Sequence, residues 1–580
     1  MALDFRNINT LWASALVNTL EHLGVSLAVV CPGSRSTPLA VAFAQSPKIA
    51  AIPVLDERSA AFFALGHGKR TGQPAVVLCT SGTAAANFYP AVIEARESRV
   101  PLLVLTADRP PELRDCHSGQ TIDQLKIYGN YPNWQAEIAV PAVELLTYFQ
   151  QTIIYAWERT QIPHGGAVHL NLPFRDPLPP VPQPEILALA EQISLKLPAV
   201  PSIDSKTSLD WILPNAWSEQ RGLIVAGIAQ PADPAAYAQA VNDISLALGW
   251  PILAEGLSPL RQYFSDQLVT TYDLILRQSQ LAVDLQPTVI LQLGDLPTSK
   301  ELRQWLAAVR PQTWILENTV QNVNALHLDA TYLRSTVINL AKNLQSLGLQ
   351  TVKSPNSTTT NSYSEQWLKL DRQVRQEIDL TMLKLETLCE CKIPWLLSQI
   401  LPPESLVFVA NSMPIRDMEF FWRPNKQHYR ILGNRGANGI DGTLSTALGA
   451  LHQHGQPGIL ITGDLSLLHD TNGLLLRQQF RGSLTILLIN NNGGGIFGML
   501  PIGQFDPPFS EFFTTPQSVD FASLCGAYQI PHQKIASWSK LQAEISQLGA
   551  PGIACWEIAT NSQLDNQWRK NNLAQFVTRI

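Results

Sequence analysis

Short runs of consecutive hydrophobic residues alternate along the chain with longer segments of helical periodicity. Strands that are apolar on both faces and separated by helices are typical of parallel sheets covered by helices on both sides. We therefore predict an α/β fold of doubly wound parallel sheets. The predicted strands are LAVV (27–30), AVVLCT (75–80), PLLVLTA (101–107), AVHLNL (167–172), GLIVAG (222–227), TVILQLG (288–294), QTWILEN (312–318), LVFVA (406–410), GILITGD (458–464), LTILLINN (484–491) and ACWEI (554–558).

Two shifts in composition divide this pattern. Residues 173–184, PFRDPLPPVPQP, contain six prolines and predict an extended connector, because proline fixes φ and lacks an N–H donor. Residues 351–364, TVKSPNSTTTNSYS, are rich in Ser, Thr and Asn without an apolar period, which predicts a loop or linker. The chain is thus predicted to form three doubly wound parallel-sheet domains, at residues 1–180, 190–350 and 365–580.

The first and third predicted domains share a weak internal similarity. Residues 76–109 and 459–492 each read as strand, Gly-containing loop, helix and strand, with a polar residue ending the second strand. Many α/β units have this plan, but the match suggests that the outer domains are structural relatives that serve one task.

Composition narrows the class of protein. Lys and Arg number 41 and Asp and Glu 47, a net charge of −6, which gives no general attraction to nucleic acid or anionic membranes. Hydrophobic residues make up 45% and charged residues 15%, so the chain can bury large cores, and its apolar runs are too short to cross a bilayer. The seven cysteines lack CxxC spacing, and we interpret them as reduced core residues of a cytoplasmic protein without a targeting segment.

Two polar strand ends carry the most specific chemistry. Asp464 ends one predicted strand and Asn491 ends the next, 27 residues later, so a strand-helix-strand crossover brings both to one sheet edge. A carboxylate, an amide oxygen and the carbonyl of Gly493 suit Mg²⁺ holding a diphosphate, with Gly463 and Ser466 near the phosphate oxygens. The alternative is a pair of ordinary strand-end caps.

The combination of GDLSLLHD (463–470) with NNNGG (490–494) resembles the motif of thiamine-diphosphate enzymes. The resemblance implies the cofactors thiamine diphosphate and Mg²⁺, with Mn²⁺ as an alternative ion, and active sites between the subunits of a homodimer or homotetramer. It implies the metal ligands Asp464, Asn491 and Gly493. It implies the cofactor-binding residues Glu57, Thr83, Asn87, Ser412, Ile440, Gly463, Asp464, Leu465, Ser466, Asn491, Gly493 and Ile496.

Two residues receive catalytic roles from the same resemblance. Glu57, in VLDERSAAFFALG (54–66), would share a proton with the aminopyrimidine ring, and Ile440 would bend the cofactor so that its two rings meet. Thr83 and Asn87, in TSGTAAAN (80–87), would frame the pyrimidine. The alternatives are a helix N-terminal carboxylate for Glu57 and a plain core residue for Ile440.

Finer motifs resemble one family. CPGSRSTPLA (31–40), TADRPPELRDCHSGQTIDQ (106–124), NSMPIRD (411–417), GNRGANGIDG (433–442) and NNNGGGIFGMLP (490–501) are similar to those of 2-succinyl-5-enolpyruvyl-6-hydroxy-3-cyclohexene-1-carboxylate synthases. These enzymes of menaquinone and phylloquinone biosynthesis decarboxylate 2-oxoglutarate and add the succinyl unit to isochorismate. The chain departs from the family at position 301, where Glu301 follows Lys300 in place of a second basic residue.

The two implied substrates carry four carboxylates, which the candidate cations would bind. For each arginine the alternative is a surface ion pair of about 0–1 kcal/mol. His117 is interpreted as a structural loop histidine. The implied substrate-binding residues are Ser34, Arg35, Arg109, Gln120, Lys300, Ser412, Arg416, Arg435, Phe497 and Leu500.

Two other functions remain open at this stage. A different thiamine-diphosphate enzyme, of the acetohydroxyacid synthase or 2-oxoacid decarboxylase type, would keep Glu57, Asp464 and Asn491 without requiring the arginines. A non-catalytic relative would keep the fold alone, since fold does not determine function. The expected partners are small-molecule substrates, with no nucleic acid and no membrane span.

Overall fold

The structure, a computed structural model, describes residues 2–193, 217, 220–346 and 358–579, without the side chains of 358–361. These residues form two compact units. The first contains 2–193, 434–455 and 466–482, and the second contains 217, 220–346, 358–433, 456–465 and 483–579.

The described strands form three six-stranded parallel sheets, which confirms the predicted fold class. The first sheet consists of β1 (Leu27–Val30), β2 (Ala50–Pro53), β3 (Ala75–Cys79), β4 (Leu102–Asp108), β5 (Trp134–Glu137) and β6 (Ala167–Pro173). The second consists of β7 (Gly222–Ala226), β8 (Ile252–Ala254), β9 (Leu268–Val269), β10 (Val289–Leu293), β11 (Gln312–Leu316) and β12 (Ala330–Leu333). The third consists of β13 (Leu406–Val409), β14 (Arg430–Leu432), β15 (Gly458–Gly463), β16 (Ser483–Asn490), β17 (His532–Lys534) and β18 (Gly552–Ala559).

The described helices cover or connect these sheets. They are α1 (Ile8–His22), α2 (Thr37–Ala44), α3 (Glu57–Thr71), α4 (Thr83–Asn87), α5 (Tyr89–Glu97), α6 (Leu146–Arg159), α7 (Pro184–Leu187), α8 (Pro234–Leu248), α9 (Tyr272–Leu276), α10 (Ser279–Asp284), α11 (Lys300–Val309), α12 (Val337–Ser346), α13 (Thr358–Lys384), α14 (Lys392–Ile400), α15 (Met413–Phe421), α16 (Thr443–Leu451), α17 (Asp464–His469), α18 (Phe521–Ala527), α19 (Trp538–Ile545), α20 (Ser562–Asn572) and α21 (Gln575–Thr578). None of these described helices combines the length and the apolar character needed to cross a membrane.

The outer sheets share one strand order. The first sheet runs β2-β1-β3-β4-β6-β5 and the third runs β14-β13-β15-β16-β18-β17. Numbered from one within each sheet, both orders read 2-1-3-4-6-5, which supports the similarity seen between residues 76–109 and 459–492. The second sheet runs β12-β11-β10-β7-β8-β9, or 6-5-4-1-2-3, so it belongs to a different doubly wound type.

Within the first unit, α3 and α16 pack at very short range. A Cβ on Gly66 would lie 2.0 Å from the carbonyl oxygen of Thr446, and one on Gly449 would lie 1.9 Å from that of Phe63. Only glycine permits this approach, because any side chain would overlap backbone atoms. The packing fixes the axis of α3, and with it the position of the helix start at Glu57.

The predicted connectors have different outcomes. Residues 174–183 contain neither helix nor strand and connect β6 to α7, and Asn7 Nδ2 donates to the carbonyl of Pro179 at 2.9 Å. The predicted loop over 351–364 lies partly outside the described residues, and its described part is wrong, because α13 begins at Thr358. Buried Tyr363 and Trp367 anchor this helix in the second unit's core, and the Tyr363 hydroxyl donates to the carbonyl of Leu285 at 2.8 Å.

Candidate active site

The second unit brings Asp464, Asn491 and Gly493 to the carboxyl ends of β15 and β16. Asp464 Oδ1 accepts from the N–H of Leu465 at 2.8 Å, and Oδ2 accepts from the N–H of Gly493 at 2.8 Å. Asn491 Nδ2 donates to Glu390 Oε1 at 2.6 Å. The carboxylate and the two loop positions therefore lie within one hydrogen-bonded cluster.

The oxygen atoms of this cluster fit a hard divalent cation. Asn491 Oδ1 is shielded from solvent and has no hydrogen-bond partner among the described residues, so a lone pair is available for a ligand. Burial raises the pKa of Asp464 to about 6, partly offset by the N–H groups of Leu465 and Gly493, and a cation would favour the ionised form. The described residues contain no group of three His, Cys, Asp or Glu side chains suited to a metal, so a site here depends on amide and carbonyl oxygens.

The loop after β16 needs glycine at 493. Gly493 has φ of 141°, and a Cβ there would lie 2.3 Å from the carbonyl oxygen of Thr514. Its neighbour Gly463 ends β15 in open space, since a Cβ there would meet no atom within 4 Å. Gly493 thus lets the loop pack closely against Thr514, whereas Gly463 leaves the backbone accessible beside Asp464, as a phosphate-binding loop requires.

An apolar segment follows this loop. Ile496 and Phe497 lie on the helical turn Gly495–Met499, and Phe497 packs edge-on against Phe513 at 5.5 Å. Leu500 follows the turn and is 47% exposed. These side chains lie on a surface segment of the second unit, and their assignment to cofactor and substrate stays a prediction.

Ser412 and Arg416 lie at the start of α15. Ser412 has φ of 75° and ψ of −131°, an uncommon conformation for a residue with a side chain. Its carbonyl accepts from Arg416 Nη1 at 2.6 Å. Backbone strain of this kind concentrates at functional sites, which favours a role for this turn.

Lys300 is exposed at the first position of α11 in the second unit. Glu301, the departure from the family pattern, lies 3.7 Å from Arg277 Nη1, and Arg277 also pairs with Asp273 at 2.8 Å. Glu301 therefore adds a local ion pair where the family has a second cation.

In the first unit, the charge of Arg35 acts on Arg109. Arg35 Nη1 donates to the carbonyl of Phe174 at 2.7 Å, and its buried Nε has no partner among the described residues. Arg109 donates to Ser81 Oγ. Burial lowers the pKa of Arg109, and the neighbouring charge of Arg35 lowers it further, opposed by Asp108 and Asp176. Two guanidinium groups, one of them with an unpartnered buried donor, have the charge and the donors that an anion requires.

The loop between β3 and α4 borders this pair. Gln120 is exposed, has φ of 57°, and donates through Nε2 to the carbonyl of Ser81 at 3.0 Å. The N–H of Gly82 donates to Gln124 Oε1 at 2.8 Å. Ser34 is exposed and accepts through its carbonyl from the N–H of Thr37 at 3.0 Å.

Thr83 and Asn87 begin and end α4. Both are exposed, and Asn87 Nδ2 donates to the carbonyl of Thr83 at 3.2 Å. Their side chains are free to meet a ligand at the surface of the first unit.

Glu57 is half-buried at the first position of α3, which is capped by Asp56 through an acceptor contact with the N–H of Ser59 at 2.8 Å. Burial raises the pKa of the Cys31 and Cys79 thiols, and the Glu57 carboxylate raises both further. Glu57 thus stands beside the ends of β1 and β3, at the sheet edge that carries the Gly82 loop.

Ile440 and Ser466 meet in the first unit. Ser466 Oγ lies 3.3 Å from the carbonyl oxygen of Ile440 and 3.2 Å from Thr443 Oγ1. Arg435 lies earlier in the same loop and is half-buried. The next residue, Gly436, donates through its N–H to Glu94 Oε1 at 3.0 Å, which ties the loop to α5.

Comparison with known proteins identifies the family. The model described as "Thiamine pyrophosphate enzyme, N-terminal TPP binding domain" matches residues 12–127, and "Middle domain of thiamine pyrophosphate" matches residues 203–409. A protein of Nostoc sp. named 2-succinyl-5-enolpyruvyl-6-hydroxy-3-cyclohexene-1-carboxylate synthase is 54% identical, covering 100% of this chain and 99% of the relative. A protein of the same name from Trichodesmium erythraeum is 53% identical, covering 100% of this chain and 100% of the relative. Another from Crocosphaera subtropica is 47% identical, covering 99% of this chain and 98% of the relative. The chain belongs to this synthase family.

Membership in the synthase family confirms the resemblance inferred from the five sequence motifs. The match extends over the whole chain, including the middle region, where few motif residues were recognised. It therefore does not depend on Glu301, the one recognised departure from the family pattern.

Three buried polar residues that support the site escaped the sequence analysis. Gln124 holds the Gly82 loop, Glu94 holds the Gly436 loop, and Glu390 contacts Asn491. Gln124 lies inside a recognised motif, so its position could have been flagged. Glu94 lies in a helix-forming segment and Glu390 lies between two cysteines. Neither local sequence indicates a role in positioning a loop.

Two minor expectations concern one loop. His117 lies on it and is exposed, and its interpretation as a structural loop histidine stays a prediction. All seven cysteines are free and six are buried, but the prediction of core positions is wrong for Cys116, which is exposed in the loop before His117.

Proposed function

We propose that this protein catalyses the thiamine-diphosphate- and metal-dependent decarboxylation of 2-oxoglutarate and the 1,4-addition of the succinyl unit to isochorismate. The products are 2-succinyl-5-enolpyruvyl-6-hydroxy-3-cyclohexene-1-carboxylate and carbon dioxide. The observation that carries the proposal is 54% identity, over the whole chain, to a relative named as this synthase.

The cofactor and its metal are assigned to the residues predicted from the motifs. Asp464, Asn491 and the carbonyl of Gly493 are the proposed ligands of Mg²⁺, with Mn²⁺ as a substitute, and the vacant Asn491 Oδ1 supports this choice. The remaining proposed cofactor contacts are Glu57, Thr83, Asn87, Ser412, Ile440, Gly463, Leu465, Ser466 and Ile496. Thiamine diphosphate supplies the carbon nucleophile that attacks the 2-oxo acid.

The arginine pair of the first unit is assigned to substrate carboxylates. Arg35 Nε has no partner among the described residues, and its guanidinium lies close enough to Arg109 to lower that residue's pKa. A carboxylate would accept a hydrogen bond from this donor and reduce the repulsion between the two cations. The same contact would therefore supply binding energy and select for an anionic group. The other proposed substrate contacts are Ser34, Gln120, Lys300, Ser412, Arg416, Arg435, Phe497 and Leu500.

Glu57 is the proposed proton-holding group. Its carboxylate would share a proton with the ring nitrogen of the aminopyrimidine, and its half-buried position at the start of α3, beside the ends of β1 and β3, supports this task. Ile440 would support the bent cofactor from the loop that Glu94 anchors. Ile496, Phe497 and Leu500 would exclude water, so that the succinyl unit is transferred to isochorismate and not protonated.

Three further assignments complete the proposal. We assign three domains at 1–180, 190–350 and 365–580, each of which contains one of the three sheets. We assign a homodimer or homotetramer with active sites at the subunit interface, as the resemblance implies. We place the enzyme in the cytoplasm, where seven cysteines without disulfides are chemically stable.

The test mixes purified protein, thiamine diphosphate, Mg²⁺, 2-oxoglutarate and isochorismate, and follows isochorismate loss and product mass. The expected product has the mass of both substrates minus carbon dioxide. Asp464→Asn is the matched inactive control, because it keeps the size of the side chain and removes the charged metal ligand.

The other outcomes separate the alternatives. Consumption of 2-oxoglutarate or pyruvate with intact isochorismate would favour an acetohydroxyacid synthase or decarboxylase. A cofactor-dependent rise in melting temperature without turnover of any 2-oxo acid would leave only a binding protein. Light scattering on the same sample counts the chains in the assembly and tests the proposed oligomer.

A further inference from the structure

A buried carboxylate outside every recognised motif contacts a proposed metal ligand. Glu390 lies two residues before α14 and is 2% exposed. Its Oε1 accepts from Asn491 Nδ2 at 2.6 Å, and its Oε2 pairs with Arg569 Nη2 at 2.7 Å. All three residues belong to the second unit.

The contact determines which end of the Asn491 amide faces the site. A carboxylate ion-paired with a guanidinium only accepts hydrogen bonds, so Asn491 must direct Nδ2 towards Glu390. The opposite end of the amide, Oδ1, is then directed away from Glu390 and has no partner among the described residues. The two ends of an amide are nearly identical in size, so packing alone selects weakly between the two orientations.

Glu390 is itself held in place from several sides. Arg569, on α20, also donates through Nε to Asp417 Oδ1 at 2.9 Å, so its guanidinium bridges two buried carboxylates. Thr560, just after β18, lies with Oγ1 3.3 Å from Glu390 Oε1. Because Arg569 and Thr560 hold Glu390 from two different elements, and Asp417 holds Arg569 from a third, Glu390 is a rigid reference point for the Asn491 amide.

We propose that Glu390 is a positioning residue for the divalent cation, because it fixes the Asn491 amide with the oxygen towards the metal and the NH₂ group away from it. The proposal rests on the proposed metal site. An amide free to rotate would present an N–H donor to the cation for part of the time, and this orientation cannot ligate.

The experiment measures Mn²⁺ binding to the full-length protein with saturating thiamine diphosphate. The electron paramagnetic resonance signal of free Mn²⁺ gives the dissociation constant without any turnover, with the cofactor alone as the blank. Glu390→Gln should weaken Mn²⁺ binding about 10- to 100-fold, because Gln can accept as well as donate and no longer selects one amide orientation. Asp417→Asn is the matched control: it also removes one carboxylate from Arg569 but does not contact Asn491, and it should change Mn²⁺ affinity less than about threefold.

A second variant distinguishes orientation from general structural damage. In Glu390→Gln combined with Asn491→Asp, the Gln amide can donate to one oxygen of the new carboxylate while the other oxygen still faces the metal. Mn²⁺ affinity should therefore return to within about fivefold of the wild type. Asn491→Asp alone should bind at least about tenfold more weakly than this double variant, since two carboxylates would then face each other.

Each result decides the question. Wild-type affinity in Glu390→Gln, equal losses in Glu390→Gln and Asp417→Asn, or no recovery in the double variant would overturn the proposal. If Glu390→Gln does not fold, the comparison of Asn491→Asp with the double variant decides it. Failure of the wild type to bind Mn²⁺ would overturn the proposed metal site itself, and this outcome is distinct from a wild type that binds while the variants behave alike.

Discussion

Replacing Arg35 should lower activity without lowering stability. Arg35→Met keeps the apolar stem and removes the guanidinium, whose Nη1 donates to the carbonyl of Phe174 at 2.7 Å and whose buried Nε has no described partner. The charge of Arg35 is also a cause, after burial, of the lowered pKa of Arg109. The free enzyme thus has two cations that repel each other, and a bound substrate carboxylate would reduce this repulsion.

The expected size of the effect follows from this geometry. A hydrogen bond to a charged group contributes about 1.5–3 kcal/mol, which corresponds to a loss of about 10- to 150-fold in kcat/KM. In the absence of substrate the same change removes the repulsion between Arg35 and Arg109, but it also removes the hydrogen bond to the carbonyl of Phe174. Because these two effects oppose each other, the melting temperature of Arg35→Met should stay close to that of the wild type.

The assay measures kcat/KM for 2-oxoglutarate and isochorismate separately, together with the melting temperature with and without thiamine diphosphate. Arg175→Met is the matched control, because Arg175 follows Phe174 in the chain but is an exposed residue paired with Glu112 at 2.6 Å. This control should keep kcat/KM within about twofold of the wild type. A similar loss in both variants, or loss of cofactor binding in Arg35→Met, would refute the assignment of Arg35 to substrate.

Three other predictions test separate parts of the molecule. Glu57→Gln should keep the cofactor-dependent rise in melting temperature but lose more than about 100-fold in turnover. A variant that keeps about half of the wild-type turnover would contradict the role proposed for Glu57. Burial lowers the pKa of His67 to about 4 from an ordinary 6.5. The neutral His67 ring is therefore fully compatible with the fold above pH 6.5, and stability is lost as pH falls from 6.5 towards 4, by about 2 kcal/mol at pH 5. Urea unfolding of wild type and His67→Gln from about pH 7 to pH 5 measures this loss, and parallel curves for the two proteins would exclude it. Arg569→Met leaves Glu390 and Asp417 buried without their cation and should cost about 3–5 kcal/mol of unfolding free energy, so a loss below about 1 kcal/mol in urea would show that the network is weak.

Sequence patterns located the inner strands and missed the outer ones. All eleven predicted runs correspond to strands, but seven further strands were not predicted. Six of these seven are the edge strands β2, β5, β9, β12, β14 and β17. An edge strand is short and partly exposed, so its composition resembles that of a loop, and it exists because a neighbouring strand offers free hydrogen-bonding groups.

The one remaining missed strand, β8, is an inner strand of only three residues. It lies between β7 and the two-residue edge strand β9 of the second sheet. The helix that starts at Thr358 is the converse case. Its first residues are polar and predict a loop. Tyr363 and Trp367 are buried in the core, and this packing stabilises a helix that begins as early as Thr358.

The sequence predicts the residues proposed to contact the cofactor or metal directly. It does not predict the buried residues that hold those residues in position. Asp464 and Asn491 are recognisable because strand ends and glycine loops leave local patterns. Glu390 pairs with a residue 101 positions away, and Glu94 with one 342 positions away. Contacts at such separations are set by tertiary packing, and no local composition encodes them.

The shared topology of the outer sheets explains why buried partners such as Glu390 and Glu94 are needed to position the loop residues. In both sheets the polar residues follow the third and fourth strands: Ser81 and Arg109 in the first, Asp464 and Asn491 in the third. The same two loop positions thus carry a hydroxyl and a guanidinium in the first sheet, and the proposed metal ligands Asp464 and Asn491 in the third. The scaffold fixes where the loops emerge, but it does not fix how a side chain on them is turned. That last step falls to buried partners that the topology does not specify, so a change in function on this scaffold requires new partners as well as new loop residues.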